Sequence, residues 1–167
     1  AVEPGHSGPS RFYSIDTAGI LLHDILFAPF FSGSAGTGMC WHWESYVDKN
    51  KLWYHFGRFN ETIKGINPVA EKFSPSKSES GNLRIYQLTG KTITLLWLRD
   101  KHNTWQSELR DLKPTFTNSG IEIDLKSLGI SNTFKQIDLY DPWQNKWEEA
   151  AAEEMQLSLP DFKRSLV

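Results

Sequence analysis

Residues 34–48 combine residue types that could bind a sugar. Small residues open the segment, Trp41 and Trp43 follow on either side of a histidine, and Glu44 and Tyr46 come next. Indole rings present flat, apolar and rigid faces that suit the C–H faces of sugar rings, and nearby carboxylates and imidazoles can bind the hydroxyls. The pattern therefore predicts a binding surface. The alternative is that both tryptophans are core residues of a tryptophan-rich domain.

The elements around this segment follow the order helix, buried strand, helix, which is typical of α/β proteins. Asp16 can cap a helix that runs to about Phe31. Residues 36–43 are uncharged and rich in small side chains, which predicts a strand buried on both faces. Asn50 can cap a second helix that stops at Gly65. In parallel α/β architectures functional residues lie at the carboxyl ends of strands, where this polar cluster begins.

The second half of the chain has a different pattern. Residues 67–81 are rich in Ser and Pro, which predicts a linker between two units. About seven short runs after residue 82 alternate in polarity between turn formers, which predicts an antiparallel β-sandwich. We expect the apolar positions of these runs to form its core, namely Leu83, Ile85, Ile93, Leu95, Trp97, Ile121, Ile123, Ile137, Leu139 and Leu157.

Composition argues against several classes of function. The chain has 167 residues and a net charge of -2, so neither nucleic acid nor an anionic membrane is indicated as a partner. No apolar run is long enough to span a bilayer. The single cysteine excludes an internal disulfide. The five histidines form neither an i, i+4 pair nor a His-x-His set, so we expect no metal site and no cofactor.

An ordered series of short motifs runs along nearly the whole chain: GILLHD (19–24), SGSAGT (32–37), WHWESY (41–46), LWYHF (52–56), LLWLRD (95–100) and LPDFKRSL (159–166). In this order they resemble the C-terminal part of a bacterial glycoside hydrolase of the (β/α)₈-barrel clan that includes cellulases and mannanases. The resemblance implies an α+β chain in which residues 1–66 are a barrel remnant of helices and a short buried strand. Residues 67–81 are then a linker, and residues 82–167 an antiparallel β-sandwich accessory domain.

The resemblance also implies a catalytic residue. Glu3, in VEPG (2–5), matches the Glu-x-Gly at the end of the seventh barrel strand, where the clan carries its nucleophile. In an intact barrel Trp41 would floor the subsite beside that nucleophile, with Glu44 and Tyr46 at the rim. A retaining glycosidase also needs an acid/base carboxyl group about 5 Å from the nucleophile. The clan takes it from the fourth strand, to which nothing here corresponds, so we expect no hydrolysis by this chain alone.

The expected function is thus that of part of a hydrolase acting on β-linked glycosides or polysaccharides. The chain starts at Ala1 without an initiator Met, and we interpret it as a piece of a longer protein. Its expected partners are carbohydrate and the missing N-terminal barrel portion. An isolated barrel strand has unpaired edges, so self-association is a further expectation. The resemblance favours a periplasmic or secreted location. A free-standing carbohydrate-binding module and a purely structural β-sandwich remain open as alternatives.

Overall fold

The computed structural model describes residues 11–131 and 134–167. These residues form a mixed α+β structure with antiparallel sheets, which confirms the predicted class. Its helical segments are the α-helices α1 (Ile20–Phe31), α2 (Tyr54–Thr62) and α3 (Pro68–Glu71) and two π-helical segments, Trp43–Asp48 and Gln106–Arg110.

The strands are β1 (Ser74–Ser80), β2 (Leu83–Thr89), β3 (Thr94–Asp100), β4 (Glu122–Asp124), β5 (Ile137–Asp141), β6 (Lys146–Ala150), β7 (Ala152–Glu153), β8 (Gln156–Ser158) and β9 (Ser165–Leu166). A four-stranded sheet has the order β1-β2-β3-β9, a second sheet has the order β4-β8-β7, and β5 pairs with β6. Two backbone hydrogen bonds of 2.7 and 2.9 Å join Tyr140 to Val167. The β5-β6 hairpin therefore lies beside β9 and extends the first sheet.

Helix α1 begins at Ile20, and Asp16, the predicted cap, lies before its first turn. The Asp16 carboxylate accepts hydrogen bonds from the backbone N–H of Ile20 at 2.8 Å and of Leu21 at 2.9 Å. These bonds satisfy N–H groups that have no partner within the helix. The preceding Gly19 has a φ of 73°, which a side chain rarely allows. The predicted helix and its contact with Asp16 are thus found, although the N-cap position is Gly19 rather than Asp16.

The two faces of the four-stranded sheet contact different parts of the chain. Alternate side chains of β2 and β3, including Leu88 and Trp97, join a core cluster with α1 and α2. The intervening side chains, including Ile85 and Leu98, join a second cluster with Ile123 of β4 and Leu157 of β8. The first cluster draws on residues from both sides of the expected linker, so the helices and the sheet share one core.

Residues 36–43 do not form the buried strand that we expected. The described backbone is irregular up to the π-helical segment, and within residues 34–40 only Cys40 is buried. The prediction was wrong because a strand buried on both faces needs neighbours on both edges, and the strands of this structure pair with one another instead. One backbone bond of 3.1 Å, from Gly38 N–H to the Ile25 carbonyl, attaches the segment to α1.

The expected linker contains α3 and an edge strand. Residues of β1 pair with β2 from Ser74 opposite Thr89 to Ser80 opposite Leu83, and every residue of β1 is exposed. Backbone hydrogen bonds rather than side-chain burial hold this strand in place. Its lysine, glutamate and proline are residue types that protect a sheet edge from further pairing.

Most of the predicted strand core is buried, but Leu95 and Trp97 pack in the first cluster with the helices and not in the core of a sandwich. Six of the ten residues are buried, and Leu95, Ile121 and Ile137 are partly buried against the clusters. Ile93 is the exception, since 36% of it is exposed. It precedes β3 in the turn that follows β2.

Replacing Gly19 by alanine should lower the free energy of unfolding by about 1–3 kcal/mol. The residue has positive φ, and an added Cβ would lie 2.4 Å from His55 Nε2. Gly36→Ala is the matched control, because an added Cβ there meets nothing within 4 Å, and it should change stability by no more than about 0.5 kcal/mol. Denaturant unfolding measures both. An equal effect of the two variants would contradict the observed positions of these glycines.

Candidate functional site

Three tryptophans near the first π-helical segment are exposed. Trp41 has 80% of its surface exposed, Trp43 46% and Trp53 45%, and the rings of Trp43 and Trp53 lie 6.4 Å apart. We call Trp41, Trp43, Trp53 and the exposed Glu44 the tryptophan surface. Large exposed aromatic groups are unusual on a monomer when they lie close together, and such patches mark binding sites.

A shallow depression of about 290 Å³ lies on this surface, lined by Trp41, His42, Trp43, Glu44 and Ser45. The structure therefore brings together three of the predicted contact residues. Their indoles can stack on a ring, and the Glu44 carboxylate and the imidazole can bind hydroxyls. Among the lining residues Glu44 carries the carboxylate. A glycosidase needs two carboxyl groups for hydrolysis, so these lining residues can bind a sugar but do not form a catalytic pair.

Tyr46 lies behind this surface and not at its rim. It is fully buried, stacks on Tyr13 with ring centres 4.3 Å apart, and donates a 2.6 Å hydrogen bond to Asp16 Oδ2. Its hydroxyl also accepts a 3.1 Å bond from Leu22 N–H. The prediction that Tyr46 contacts substrate was wrong, because the side chain joins the π-helical segment to the cap of α1. Burial raises the pKa of this phenol above its ordinary value, so it stays protonated and donates.

The remaining predicted site residue, Glu3, lies outside the described residues. Trp53, by contrast, also belongs to the surface, although it is absent from the predicted site residues. Its indole N–H donates a 2.9 Å hydrogen bond to Asp48 Oδ1, and its ring centre lies 6.4 Å from that of Trp43. Helical spacing could not reveal this position, because both partners lie in the π-helical segment Trp43–Asp48.

A second cluster of functional residue types is buried between the helices and the sheet. His23 Nε2 lies 2.8 Å from Ser165 Oγ, which also accepts a 3.0 Å hydrogen bond from the Trp143 indole N–H. His55 Nε2 lies 2.9 Å from the Ala18 carbonyl oxygen. His23, His55 and Ser165 are all fully buried. A serine beside a histidine could suggest a nucleophile, but a substrate cannot reach these atoms, so the cluster is structural.

Burial lowers the pKa of both histidines. The ring of His23 lies 5.9 Å from that of His55, and each Nδ1 atom has no hydrogen-bond partner among the described residues. Loss of solvation is the main cause of both shifts, and nearby arginines add to it; the pKa of His55 falls to about 4. Both imidazoles are therefore neutral near pH 7.

Other kinds of site are not found in the described part of the chain. No group of His, Cys, Asp and Glu within residues 11–131 and 134–167 could hold a metal ion. No helix in the same residues has the length and apolar character needed to cross a membrane.

Tyr46→Phe should lower the free energy of unfolding by about 1.5–3 kcal/mol, because it removes a buried hydrogen bond to a carboxylate. Tyr54→Phe is the matched control, since that exposed hydroxyl makes a 3.2 Å bond to the Ala18 carbonyl. Urea denaturation measures both changes. A Tyr46→Phe protein of unchanged stability but reduced sugar binding would restore Tyr46 to the binding surface.

Stability should fall as the pH falls below about 6.5, the ordinary histidine pKa. Below that pH His23 and His55 bind protons in the unfolded chain but stay neutral in the folded one. Each of them therefore lowers the free energy of unfolding by up to about 1.4 kcal/mol for each pH unit, until the pH reaches its folded pKa. His55→Gln should remove one such slope between pH 6.5 and about 4. Burial raises the pKa of Asp16, so this group makes the folded state more stable as the pH falls. The test therefore compares the pH slope of the variant with that of the parent protein. The exposed His102→Gln is the control, and an equal slope in all three proteins would contradict burial of a neutral His55.

Comparison of the chain with protein-family models, curated proteins and solved structures gave no match. The function is therefore inferred from the residues of the tryptophan surface and their geometry.

Proposed function

We propose that this chain binds neutral carbohydrate at the tryptophan surface, as part of a glycoside hydrolase that acts on β-linked glycosides or polysaccharides. The exposure of Trp41 beside Trp43 and Glu44 is the observation that supports this most directly. An indole with most of its surface in water can stack on a sugar ring without any rearrangement of the protein. Polar atoms of His42, Glu44 and Ser45 surround it and match hydroxyl groups.

The positions of these residues support the same proposal. Tyr46 and Val47 point into the core from the π-helical segment Trp43–Asp48, while Trp43 and Glu44 of the same segment are exposed. The buried pair therefore holds the exposed pair in place. A preorganised surface loses less conformational entropy on binding than a mobile one, and weak stacking contacts are then sufficient.

The strand region supports the proposed enzyme in a different way. We infer that residues 82–167 form a β-sandwich accessory domain, since side chains of β2, β3, β4 and β8 meet in one apolar cluster. By the resemblance Glu3 is the nucleophile, and no residue of this chain matches the acid/base carboxyl group. Binding rather than turnover is therefore the property to measure on this chain.

The indole N–H signals of the tryptophans test the proposal in an NMR titration with cellohexaose and with mannohexaose. We expect the Trp41 and Trp43 signals to shift while that of Trp97, which is 1% exposed, does not. The open depression makes the expected Kd about 1 mM or weaker, equivalent to about -4 kcal/mol. Trp41→Ala should weaken binding by about tenfold.

Phe116→Ala is the control, because that residue is an exposed aromatic group on a different part of the chain. It should leave the titration unchanged. Trp41 and Trp43 signals that do not move in the parent protein, or an unchanged Kd in the Trp41→Ala, Trp43→Ala double variant, would refute the proposed surface.

A further inference from the structure

Strand β1 lies at one edge of the four-stranded sheet, and all seven of its residues are exposed. The Lys101 N–H donates a 2.9 Å hydrogen bond to the Asn82 carbonyl, so the even-numbered residues of β2 bond β3 and the odd-numbered ones bond β1. Each odd-numbered residue of β2 lies opposite an even-numbered residue of β1. The backbone N–H and C=O groups of Lys77 and Glu79 therefore point away from β2, to the outer edge of the sheet.

These backbone groups are available to another strand. Within residues 11–131 and 134–167, neither the Lys77 N–H nor the Glu79 N–H has a hydrogen-bond partner. Pro75 is the preceding residue in the same row, and it has no N–H to donate. It also lies close to the loop after α1, since a Cβ added at Gly33 would be 2.8 Å from its ring. The outer edge that a partner can pair with thus covers residues 76–80.

The sequence of this edge is complementary to itself. Two copies of β1 that pair antiparallel about Ser78 place Lys77 of each copy directly opposite Glu79 of the other. Opposite residues whose backbone faces the partner exchange two hydrogen bonds, so both pairs together make about four. The two neighbouring registers place Lys77 opposite Lys77 or Glu79 opposite Glu79, and like charges directly opposite each other destabilise a sheet. Charge therefore selects a single register.

The side chains of β2 behind this edge extend the same pattern. Arg84 lies opposite Glu79, with its Nε atom 3.6 Å from the carboxylate, to which Lys101 also makes a 3.0 Å ion pair. Tyr86 lies opposite Lys77, whose Nζ atom is 5.6 Å from the ring centre. Across two paired copies, the row of neighbouring side chains has the order Arg84, Glu79, Lys77 and Tyr86. Each charge in this row has an opposite charge or an aromatic ring beside it.

We propose that β1 is a dimerisation edge, to which a second copy of this chain adds its own β1 antiparallel about Ser78. The contact is isologous, so the same surface of both copies is used and the assembly closes as a dimer with one continuous sheet. Edge charges disfavour pairing with an apolar or like-charged strand. A second copy is the partner that the order of Lys77 and Glu79 fits. The proposal goes beyond sugar binding and does not depend on it, because β1 shares no residue with the tryptophan surface.

Analytical ultracentrifugation over about 0.01–1 mM protein tests this edge. Two short strands bury little area, so the expected dimer is weak, with a Kd on the order of 0.1–1 mM. Lys77→Glu and Glu79→Lys should each weaken it by about tenfold or more, because every opposed pair then carries like charges. An equimolar mixture of the two variants should form the dimer again, since each glutamate of one variant faces a lysine of the other. Lys113→Glu changes the charge of an exposed loop elsewhere and should leave dimerisation unchanged.

Amide hydrogen exchange identifies the strand that forms the contact. Exchange at Lys77 and Glu79 should slow about two- to fourfold from 0.01 to 1 mM, as the fraction of free monomer falls. The Ser76 and Ser78 amides bond β2 already and should change little. A parent protein that stays monomeric at about 1 mM overturns the proposal, and so does a variant mixture that stays monomeric. A dimer that Trp41→Ala abolishes, with no change in exchange at Lys77 and Glu79, would assign association to the tryptophan surface and would also overturn it.

Discussion

The Arg99 guanidinium is the contact on which the arrangement of layers depends. It is 5% exposed and makes two hydrogen bonds, of 3.0 and 3.1 Å, to the Asp24 carboxylate of α1. Its Nη1 atom also donates to the backbone carbonyl of Asn103 and, at 3.0 Å, to that of Arg164. One side chain of β3 thereby joins a helix, the loop after β3 and the start of β9. Loss of one partner from such a buried pair typically costs about 3–5 kcal/mol, because the other charge stays buried.

This contact explains why the neighbouring residues are buried as they are. Asp24 fixes α1 on the sheet, and His23, one residue earlier, then lies against Ser165 of β9, which is opposite Arg99 in the register. Burial is the main cause of the lowered pKa of His23, and His55, Arg99 and Arg164 add to it. The layer is therefore held by a charged ion pair and by neutral imidazoles.

How much the sequence predicted depends on whether a pattern reports local or distant contacts. The contact of Asp16 with the first turn of α1 is a local signal and is found. The second helix was placed too widely, because α2 begins at Tyr54 and ends at Thr62, whereas the Asn50 side chain bonds the Tyr13 carbonyl and does not cap it. Strand β1 was missed because an edge strand exposed on both sides has no alternation. Residues 36–43 were assigned to a strand because small, uncharged residues are typical of buried strands. A buried strand also needs partner strands on both edges, and a local sequence pattern does not report whether they exist.

The candidate site shows the same division. Trp41, Trp43 and Glu44 were recognised because exposed aromatic and acidic groups that are adjacent in sequence stay adjacent in space. Tyr46 was misassigned because its partner, Asp16, lies 30 residues earlier. Trp53 could be placed on the surface only once the π-helical segment was known.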